Sequence, residues 1–353
     1  MHEPSVKVAR VPVQPARPVC QPPWLVSAVL AGISLLFQMN VAGRAAAQGV
    51  VELSSVVDSV VRAEMAKQRI PGAGFVFVKD GRVIYMRGYG SADLARNRPV
   101  VPESTIWRIG SISKVFAATA VMQLVDNRQV ALDNAVSRYV RRVAVPQTAG
   151  DSITVRHLLN HTAGFDEIRP GTQASTREGV LPLERFLGTR LVSVRPPGRT
   201  IAYSTYGITL AGLLLEEQLG LPFETVLAQN IWRPLRMTHA SITVPAEQQG
   251  QLALGYEITG DSLVTQPWEW YHTTPASSVN ASVADMARFL IAHLQGGAIG
   301  SDRILSERAI TEMQRQQITM HPSLPGVALG FYEDHVGSLR ILEHGGNMAG
   351  FSS

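Results

Sequence analysis

Several features are scarce or missing in this sequence of 353 residues, and each absence reduces the range of functions that the protein can have. The one cysteine, Cys20, lies near the start, so residues 48–353 contain neither a disulfide nor a thiol nucleophile. Glycine-rich phosphate-binding patterns are missing, which argues against nucleotide binding, and no Gly-x-Ser-x-Gly element marks an α/β-hydrolase. No repeat or low-complexity tract occurs. With 45% hydrophobic and 17% charged residues, the chain has the composition of a large globular domain.

Lysine is rare as well. The chain has 32 basic residues, of which four are lysines, and none follows Lys114. The formal net charge is +4, of which the first 47 residues carry +3 through four basic residues and one acidic residue. The remaining chain is almost neutral, which argues against binding to a nucleic acid backbone.

The first 47 residues are typical of an export signal. A basic, proline-rich stretch precedes an apolar run from Trp24 to Phe37, and Ala45-Ala46-Ala47 resembles a cleavage site. The apolar run is shorter than the roughly 20 residues that span a bilayer. We therefore predict a signal peptide over residues 1–47 and an exported domain over residues 48–353, in the periplasm or outside the cell. The alternative is an uncleaved membrane anchor over residues 24–41, which would be the chain's only contact with a membrane.

Hydrophobic spacing predicts the main structural elements. Apolar residues at helical intervals predict a helix over Glu52–Arg69, and residues 113–126 are apolar on most faces, which indicates a buried helix. Two apolar runs around Asp80-Gly81 predict a β-hairpin. Strands are predicted over Ala328–Tyr332 and Leu339–Glu343. Since residues 130–295 alternate helical patterns with long loops, we expect an α/β (α+β) sandwich: an antiparallel sheet from both chain ends, flanked by helices, with a helical insertion subdomain.

The sequence Ser111-Ile112-Ser113-Lys114 opens the predicted buried helix and is the strongest candidate for chemistry. Residues three apart share a helix face, so the Lys114 amine can reach the Ser111 hydroxyl. Serine becomes a nucleophile when a base takes its proton, and burial shifts a lysine toward the neutral form that can do so. Arginine could not act in this way. Taken alone, a Ser-x-x-Lys spacing also arises by chance.

Two further clusters hold candidate residues. Tyr203 precedes the apolar stretch Ile208–Leu219, where its phenol can project into a cleft and relay protons; a tyrosine that merely caps the core is the commoner case. After the strand over 339–343 comes His344-Gly345-Gly346-Asn347. These glycines can let a substrate backbone lie along the strand, and the Asn347 amide can help to bind an oxyanion, although two glycines also form an ordinary turn.

Together these clusters resemble the serine hydrolases related to class C β-lactamases and penicillin-recognising D-alanyl-D-alanine peptidases. The similarity runs from about Glu52 to the end of the chain. It is carried by segments in the family's order, namely Trp107-Arg108-Ile109-Gly110-Ser111-Ile112-Ser113-Lys114, Arg156-His157-Leu158-Leu159-Asn160-His161-Thr162-Ala163-Gly164-Phe165, Arg233-Pro234-Leu235-Arg236-Met237, Ala284-Asp285-Met286-Ala287-Arg288-Phe289 and His344-Gly345-Gly346 to Gly350-Phe351.

The resemblance implies a role for each cluster. Ser111 would be the acylated nucleophile and Lys114 its partner, while Tyr203 would be the tyrosine of the family's Tyr-x-Asn element. His344 would stand beside the leaving group or a substrate carboxylate. The backbone amides of Ser111 and Asn347 would form the oxyanion hole. The residues that would contact the substrate are Thr205, Gly345, Gly346 and Asn347.

Three departures from the family pattern bear on the substrate. Thr205 stands where the family usually has asparagine, so an amide that could hold substrate or lysine is replaced by a hydroxyl. His344 replaces a permanent cation, so we expect carboxylate binding to be weaker or pH-dependent. The chain also ends at Phe351-Ser352-Ser353, where the family sheet continues with further strands and a helix. We read this as a fragment or a sheet with an exposed edge.

The sequence thus predicts an exported, cofactor-free serine hydrolase that forms an acyl-serine intermediate on a D-amino peptide, a β-lactam or a small ester. The first alternative is a non-catalytic protein that binds cell-wall peptidoglycan and keeps the fold. The second is a metal site, because His157 and His161 lie four residues apart, but no His-Glu-x-x-His pattern accompanies them, so we predict no metal. The expected partner is a small molecule or a peptidoglycan peptide.

Overall fold

The computed structural model describes residues 44–147, 151–168 and 170–353, with side chains described from residue 53 onward. Nearly all of the predicted signal segment, residues 1–43, lies outside the described residues. No helix within the described ranges is long and apolar enough to cross a membrane.

Nine α-helices are described. They are α1 (Arg44–Gln68), α2 (Ser113–Asp126), α3 (Val155–Leu159), α4 (Leu183–Leu187), α5 (Thr205–Leu219), α6 (Phe223–Leu227), α7 (Thr274–Ser277), α8 (Val283–Leu294) and α9 (Glu307–Gln314). Short 3₁₀ segments lie at Gly110–Ile112, Val136–Arg138 and Ala246–Gln251, and a π-turn at Ala228–Trp232.

All the strand pairs are antiparallel, and the strands other than β1 and β2 are short. They are β1 (Gly72–Lys79), β2 (Arg82–Asp93), β3 (Arg98–Pro99), β4 (Trp107–Arg108), β5 (Gln173–Ala174), β6 (Tyr256–Thr259), β7 (Ser262–Thr265), β8 (Trp270–Tyr271), β9 (Asn280–Ala281), β10 (Ala298–Ile299), β11 (Asp302–Arg303), β12 (Tyr332–Val336), β13 (Leu339–Glu343), β14 (Asn347–Met348) and β15 (Phe351–Ser352). β1, β2 and β3 form one sheet, and the other strands pair two by two.

The expected mixed α/β architecture with antiparallel strands is confirmed, but one part of the expected topology is wrong. In the described ranges the strands from the two chain ends do not join in one sheet, because β12 pairs with β13 and not with β1. The other edge of β12 is occupied by the segment just before it, where the Glu333 amide donates to the Gly326 carbonyl (3.0 Å) and Val327 bridges to Tyr332.

The core is built around α2, which is buried along almost its whole length. Phe116 of this helix is fully buried and stacks on Phe289 of α8, with ring centroids 4.0 Å apart. Helix α5 packs against α2 and is itself buried from Tyr206 to Leu215. Helices that are apolar on all faces must lie inside a domain, and the first two residues of α2, Ser113 and Lys114, are buried accordingly.

Element boundaries differ from the prediction at three places. Helix α1 begins at Arg44, before the predicted Glu52, and helix α5 begins at Thr205, because the Ser204 hydroxyl caps it by accepting from the Gly207 amide (2.9 Å). The strand expected at 328–332 begins at Tyr332. Gly330 has a φ of +81°, and a Cβ there would lie 2.7 Å from the Ala118 Cβ of α2, so this stretch turns over the helix. The predicted bounds of α2 are confirmed.

Candidate active site

Ser111 and Lys114 meet at the entrance to α2. Ser111 lies in the 3₁₀ turn that leads into the helix, and Lys114 Nζ is 3.0 Å from Ser111 Oγ. The lysine side chain is buried, and its residue is 1% exposed. Burial lowers the pKa of Lys114 to about 7, and the Glu167 carboxylate opposes part of that shift. A substantial share of Lys114 is therefore neutral near pH 7, as a general base must be.

Tyr203 completes this cluster from the turn before α5. Its hydroxyl donates to Ser111 Oγ at 2.8 Å, and Lys114 Nζ lies 4.7 Å from the centroid of its ring. The turn is fixed by His161, whose carbonyl accepts from the Ala202 amide (2.8 Å) and whose Nδ1 accepts from the Ser204 amide (3.2 Å). Ser111 Oγ thus lies between an amine and a phenol, both within hydrogen-bond reach.

The second hydrogen-bond partner of Lys114 was not predicted from the sequence. Lys114 Nζ donates to the carbonyl of Ala276 at 2.9 Å, across a sequence separation of 162 residues. Ala276 lies on α7, which presses against α5 where a Cβ on Gly212 would lie 2.2 Å from Pro275 Cγ. Glycine is therefore needed at position 212 for the two helices to approach this closely. No motif marks a backbone carbonyl as a ligand of a distant amine.

The segment from Gly345 to Asn347 runs beside the turn that holds Ser111. Gly110 has a φ of +52°, and a Cβ there would lie 2.9 Å from the Asn347 amide nitrogen, so this amide is adjacent to the Ser111 turn. A Cβ on Gly346 would lie 2.1 Å from the Ile109 carbonyl. Gly346 is thus required for packing against the chain's own backbone, whereas Gly345 is exposed. The Asn347 amide therefore lies beside Gly110, the residue that precedes Ser111.

His344 lies in a cluster of rings around Tyr203. Its ring centroid is 6.3 Å from that of Tyr203 and 6.1 Å from that of Tyr332, and the Tyr332 ring stacks on His161 at 5.9 Å. Burial and the nearby Lys114 lower the pKa of His344 to about 4, and burial lowers that of His161 to about 3. Both rings are therefore neutral near pH 7. Tyr332 was missed in the sequence because it lies outside every recognisable motif.

Thr205 is the first residue of α5 and follows Tyr203 by two positions. Its carbonyl accepts from the Thr209 hydroxyl at 2.8 Å. Within the described part of the chain, no hydrogen bond links the Thr205 hydroxyl to Lys114. The amine is held by the Ala276 carbonyl and Ser111 instead.

The two histidines considered as metal ligands have separate contacts. His157 Nδ1 accepts from the Thr154 amide (3.2 Å) and so closes the capping box of α3, while His161 Nδ1 is used by the tyrosine turn. Across residues 44–147, 151–168 and 170–353, no group of three or more His, Cys, Asp or Glu side chains is arranged to hold a metal ion.

The family model described as Beta-lactamase matches residues 57–353 of this chain. The chain belongs to the Beta-lactamase family. The resemblance expected from the motif order is therefore confirmed, and the match covers every residue of the Ser111 cluster. Membership in this family agrees with a site in which a serine, a lysine and a tyrosine lie within hydrogen-bond reach.

Curated relatives and solved structures are consistent with this assignment. This chain is 26% identical over 239 residues to Protein flp of Staphylococcus aureus, and the match covers 66% of this chain and 47% of that protein. It is 26% identical over 244 residues to a Beta-lactamase of Escherichia coli K12, covering 69% and 62%. The chain thus spans about half the length of the first of these relatives.

Two solved structures share the fold. The octameric penicillin-binding protein homologue from Pyrococcus abyssi superposes with a TM-score of 0.72 at 26% identity, covering 83% of this chain and 68% of that one. EstCE1, a hydrolase with promiscuous acyltransferase activity, superposes with a TM-score of 0.68 at 22% identity, covering 80% and 83%, and this likeness concerns the fold alone.

Proposed function

We propose that this protein is an exported serine hydrolase that forms an acyl-enzyme on Ser111 and then transfers the acyl group to water. The observation that carries the proposal is the position of one hydroxyl, Ser111 Oγ, between Lys114 Nζ at 3.0 Å and Tyr203 Oη at 2.8 Å. A serine hydroxyl needs a nearby base to become nucleophilic, and the neutral, buried amine is that base.

Acylation begins when Ser111 Oγ attacks the substrate carbonyl and its proton passes to Lys114 Nζ. The C–O bond that forms leaves a negative charge on the carbonyl oxygen, which accepts from the amides of Ser111 and Asn347. When the intermediate collapses, the bond to the leaving group breaks, and that group takes the Tyr203 hydroxyl proton. The Lys114 ammonium then returns a proton to Tyr203, beside whose ring it lies.

Deacylation repeats these steps with water in place of serine. Water attacks the acyl carbonyl and gives a proton to Lys114. The acid product then leaves as Ser111 Oγ takes the Tyr203 hydroxyl proton, which Lys114 replaces. The role of Ala276 is to keep the amine in place through its carbonyl, which accepts from Lys114 Nζ at 2.9 Å.

The lack of a positive charge on His344 near pH 7 favours small neutral esters over substrates that carry a carboxylate. A D-amino peptide or a β-lactam presents a carboxylate that a cation would hold. His344 has a pKa lowered to about 4 and is therefore uncharged near pH 7. We infer that D-amino peptides and β-lactams are poorer substrates at neutral pH than uncharged esters.

Active-site labelling followed by a hydrolysis screen tests this function. A fluorophosphonate should add covalently to Ser111, as located by peptide mass spectrometry, and the protein should hydrolyse p-nitrophenyl butyrate faster than a D-alanyl-D-alanine peptide or nitrocefin. Ser111→Ala should abolish both results, because it removes the nucleophile. Ser301→Ala changes an exposed serine and is the matched control.

The outcomes separate the alternatives. A peptidoglycan peptide that binds without any adduct or turnover would support the non-catalytic cell-wall binding protein. Turnover that survives Ser111→Ala but is abolished by a chelator would support a metal enzyme. Faster hydrolysis of the carboxylate-bearing substrates would contradict the preference for neutral esters while leaving the acyl-serine mechanism intact.

Export is part of the proposal and rests on the composition of residues 1–47. Intact-mass measurement of the full chain recovered from the periplasm or medium should show loss of these residues. A full-length product in the membrane fraction would support the anchor over residues 24–41 instead.

A further inference from the structure

Glu167 lies beside the proposed active site without belonging to any motif of the sequence. Its Oε1 accepts two hydrogen bonds from the turn that carries Tyr203, one from the Ser204 hydroxyl (3.0 Å) and one from the Tyr206 amide (3.1 Å). These donors follow Tyr203 by one and three residues. Because both converge on a single carboxylate oxygen, Glu167 holds the start of α5, directly after Tyr203.

The groups around Lys114 make Glu167 distinctive. The Ser111 hydroxyl and the Ala276 carbonyl are neutral, the Tyr203 hydroxyl donates to Ser111, and the rings of His161 and His344 are uncharged near pH 7. Among the groups that act on the Lys114 charge, Glu167 is the carboxylate that favours it. The hydrogen bonds of the amine within the described ranges go to Ser111 and Ala276, and Glu167 acts on its charge through space.

A charge in this position suits a base that must alternate between two forms. The amine must be neutral before Ser111 attacks and positive afterwards, and burial opposes only the positive form. A carboxylate in direct contact would keep Lys114 protonated and stop the attack. One that lies farther away stabilises the ammonium produced in each acyl transfer without forming a fixed pair.

We propose that Glu167 is a positioning residue that orients Tyr203 through the first turn of α5 and its cap Ser204, and that stabilises the ammonium form of Lys114 during acyl transfer. This inference rests on the proposed acyl-serine function and adds to it a residue that acts through two others. Glu167 itself neither touches the reacting atoms nor accepts the serine proton.

Glu167→Gln separates the charge from the hydrogen bonds, because the amide oxygen can still accept from Ser204 and Tyr206. For p-nitrophenyl butyrate, kcat/KM should rise with pH as Lys114 loses its proton, with a half-point near 7 in the wild type. In Glu167→Gln the half-point should move to lower pH by about 0.5 unit or more, since the ammonium loses its stabilising charge. The plateau rate should fall, because a less basic amine is a weaker proton acceptor.

Asp166→Asn is the matched control. Asp166 is the preceding carboxylate, is exposed, and accepts from the Glu167 amide (3.0 Å). This variant should leave the half-point of the pH profile in place. An unshifted profile in Glu167→Gln, or an equal shift in Asp166→Asn, would overturn the proposal.

A second measurement keeps the inference separate from the proposed function. The chain has four lysines, so the Lys114 signal can be assigned by NMR of lysine-labelled protein through its loss in Lys114→Met. A lower Lys114 pKa in Glu167→Gln, in a protein that hydrolyses none of the substrates, would support the electrostatic role and refute the hydrolase. Normal turnover with no change in the lysine titration would refute Glu167 and leave the hydrolase standing.

Discussion

At the scale of single residues, the proposed mechanism requires the amine of Lys114 to take the proton of Ser111. Its nitrogen has two hydrogen-bond partners, the Ser111 hydroxyl and the Ala276 carbonyl. A neutral amine has one lone pair and two hydrogens, so it can accept from the serine while it donates to the carbonyl. The two contacts can therefore also be made by the unprotonated form that a general base requires.

Lys114→Arg tests this assignment directly. Guanidinium remains protonated at any accessible pH and cannot take the serine proton, so kcat/KM on p-nitrophenyl butyrate should fall by about 10²- to 10⁴-fold. Lys79→Arg changes an exposed lysine at the end of β1 and should leave the rate unchanged. If Lys114→Arg kept most of its activity, the base would have to be another group.

Residue identity and spacing predicted part of this site and missed the rest. Ser111 and Lys114 could be paired because three residues along a helix are neighbours, whatever the surrounding fold. Tyr203 and His344 could be proposed only through the resemblance, since nothing local indicates that they approach Ser111. Glu167 and the Ala276 carbonyl carry no signal of their own, because a carboxylate in a loop and a backbone carbonyl occur throughout any chain.

At the scale of elements, the contact between α5 and α7 controls where the Ala276 carbonyl lies. Pro275 fills the space that a side chain on Gly212 would need. The position of the amine that activates Ser111 thus depends on a glycine in a different helix, with no contact between that glycine and the reacting atoms.

Gly212→Ala should push α7 away from α5. Overpacking of a buried contact destabilises a protein by about 1–3 kcal/mol. We expect this loss in the free energy of unfolding, measured in urea, together with slower labelling of Ser111 by the fluorophosphonate. Gly250→Ala is the control, because a Cβ there meets nothing within 4 Å. A Gly212→Ala variant with wild-type labelling would show that the Ala276 contact does not set the rate.

The elements were predictable where the local pattern agreed with the tertiary contacts. The bounds of α2 follow from its apolar composition, and the β1–β2 hairpin follows from its Asp-Gly turn. The strand expected at 328–332 failed because Gly330 and Leu329 bond to Leu159 and Met313, which are remote in sequence. A run of apolar residues does not distinguish a strand from a segment drawn across a helix.

At the scale of the whole molecule, the buried amine lowers stability as well as enabling catalysis. The pKa of Lys114 is about 7 in the folded protein and 10.5 in an exposed lysine. Between these values the unfolded chain binds more protons than the folded one, so this group makes the free energy of unfolding rise with pH from about 7 to about 10.5. Below pH 7 the full cost of protonating the buried amine is present.

Lys114→Met should therefore be more stable than the wild type and inactive. Near pH 7 we expect a gain of about 1 kcal/mol or more in the free energy of unfolding, limited by the unpaired Ala276 carbonyl that remains. The gain should shrink as the pH approaches 10. Lys79→Met serves as the control for removal of an exposed charge. A variant that is less stable than the wild type at every pH would contradict the lowered pKa of Lys114.

The burial of α2 gives the protein a built-in indicator of its own folding. The stacked Phe116 and Phe289 rings pack α2, which follows Ser111 directly, into the core. A displacement of Ser111 therefore requires the loss of core contacts. We therefore expect hydrolytic activity to be lost at the same temperature or urea concentration at which the whole domain unfolds. A chromogenic ester added during melting would report the surviving native fraction.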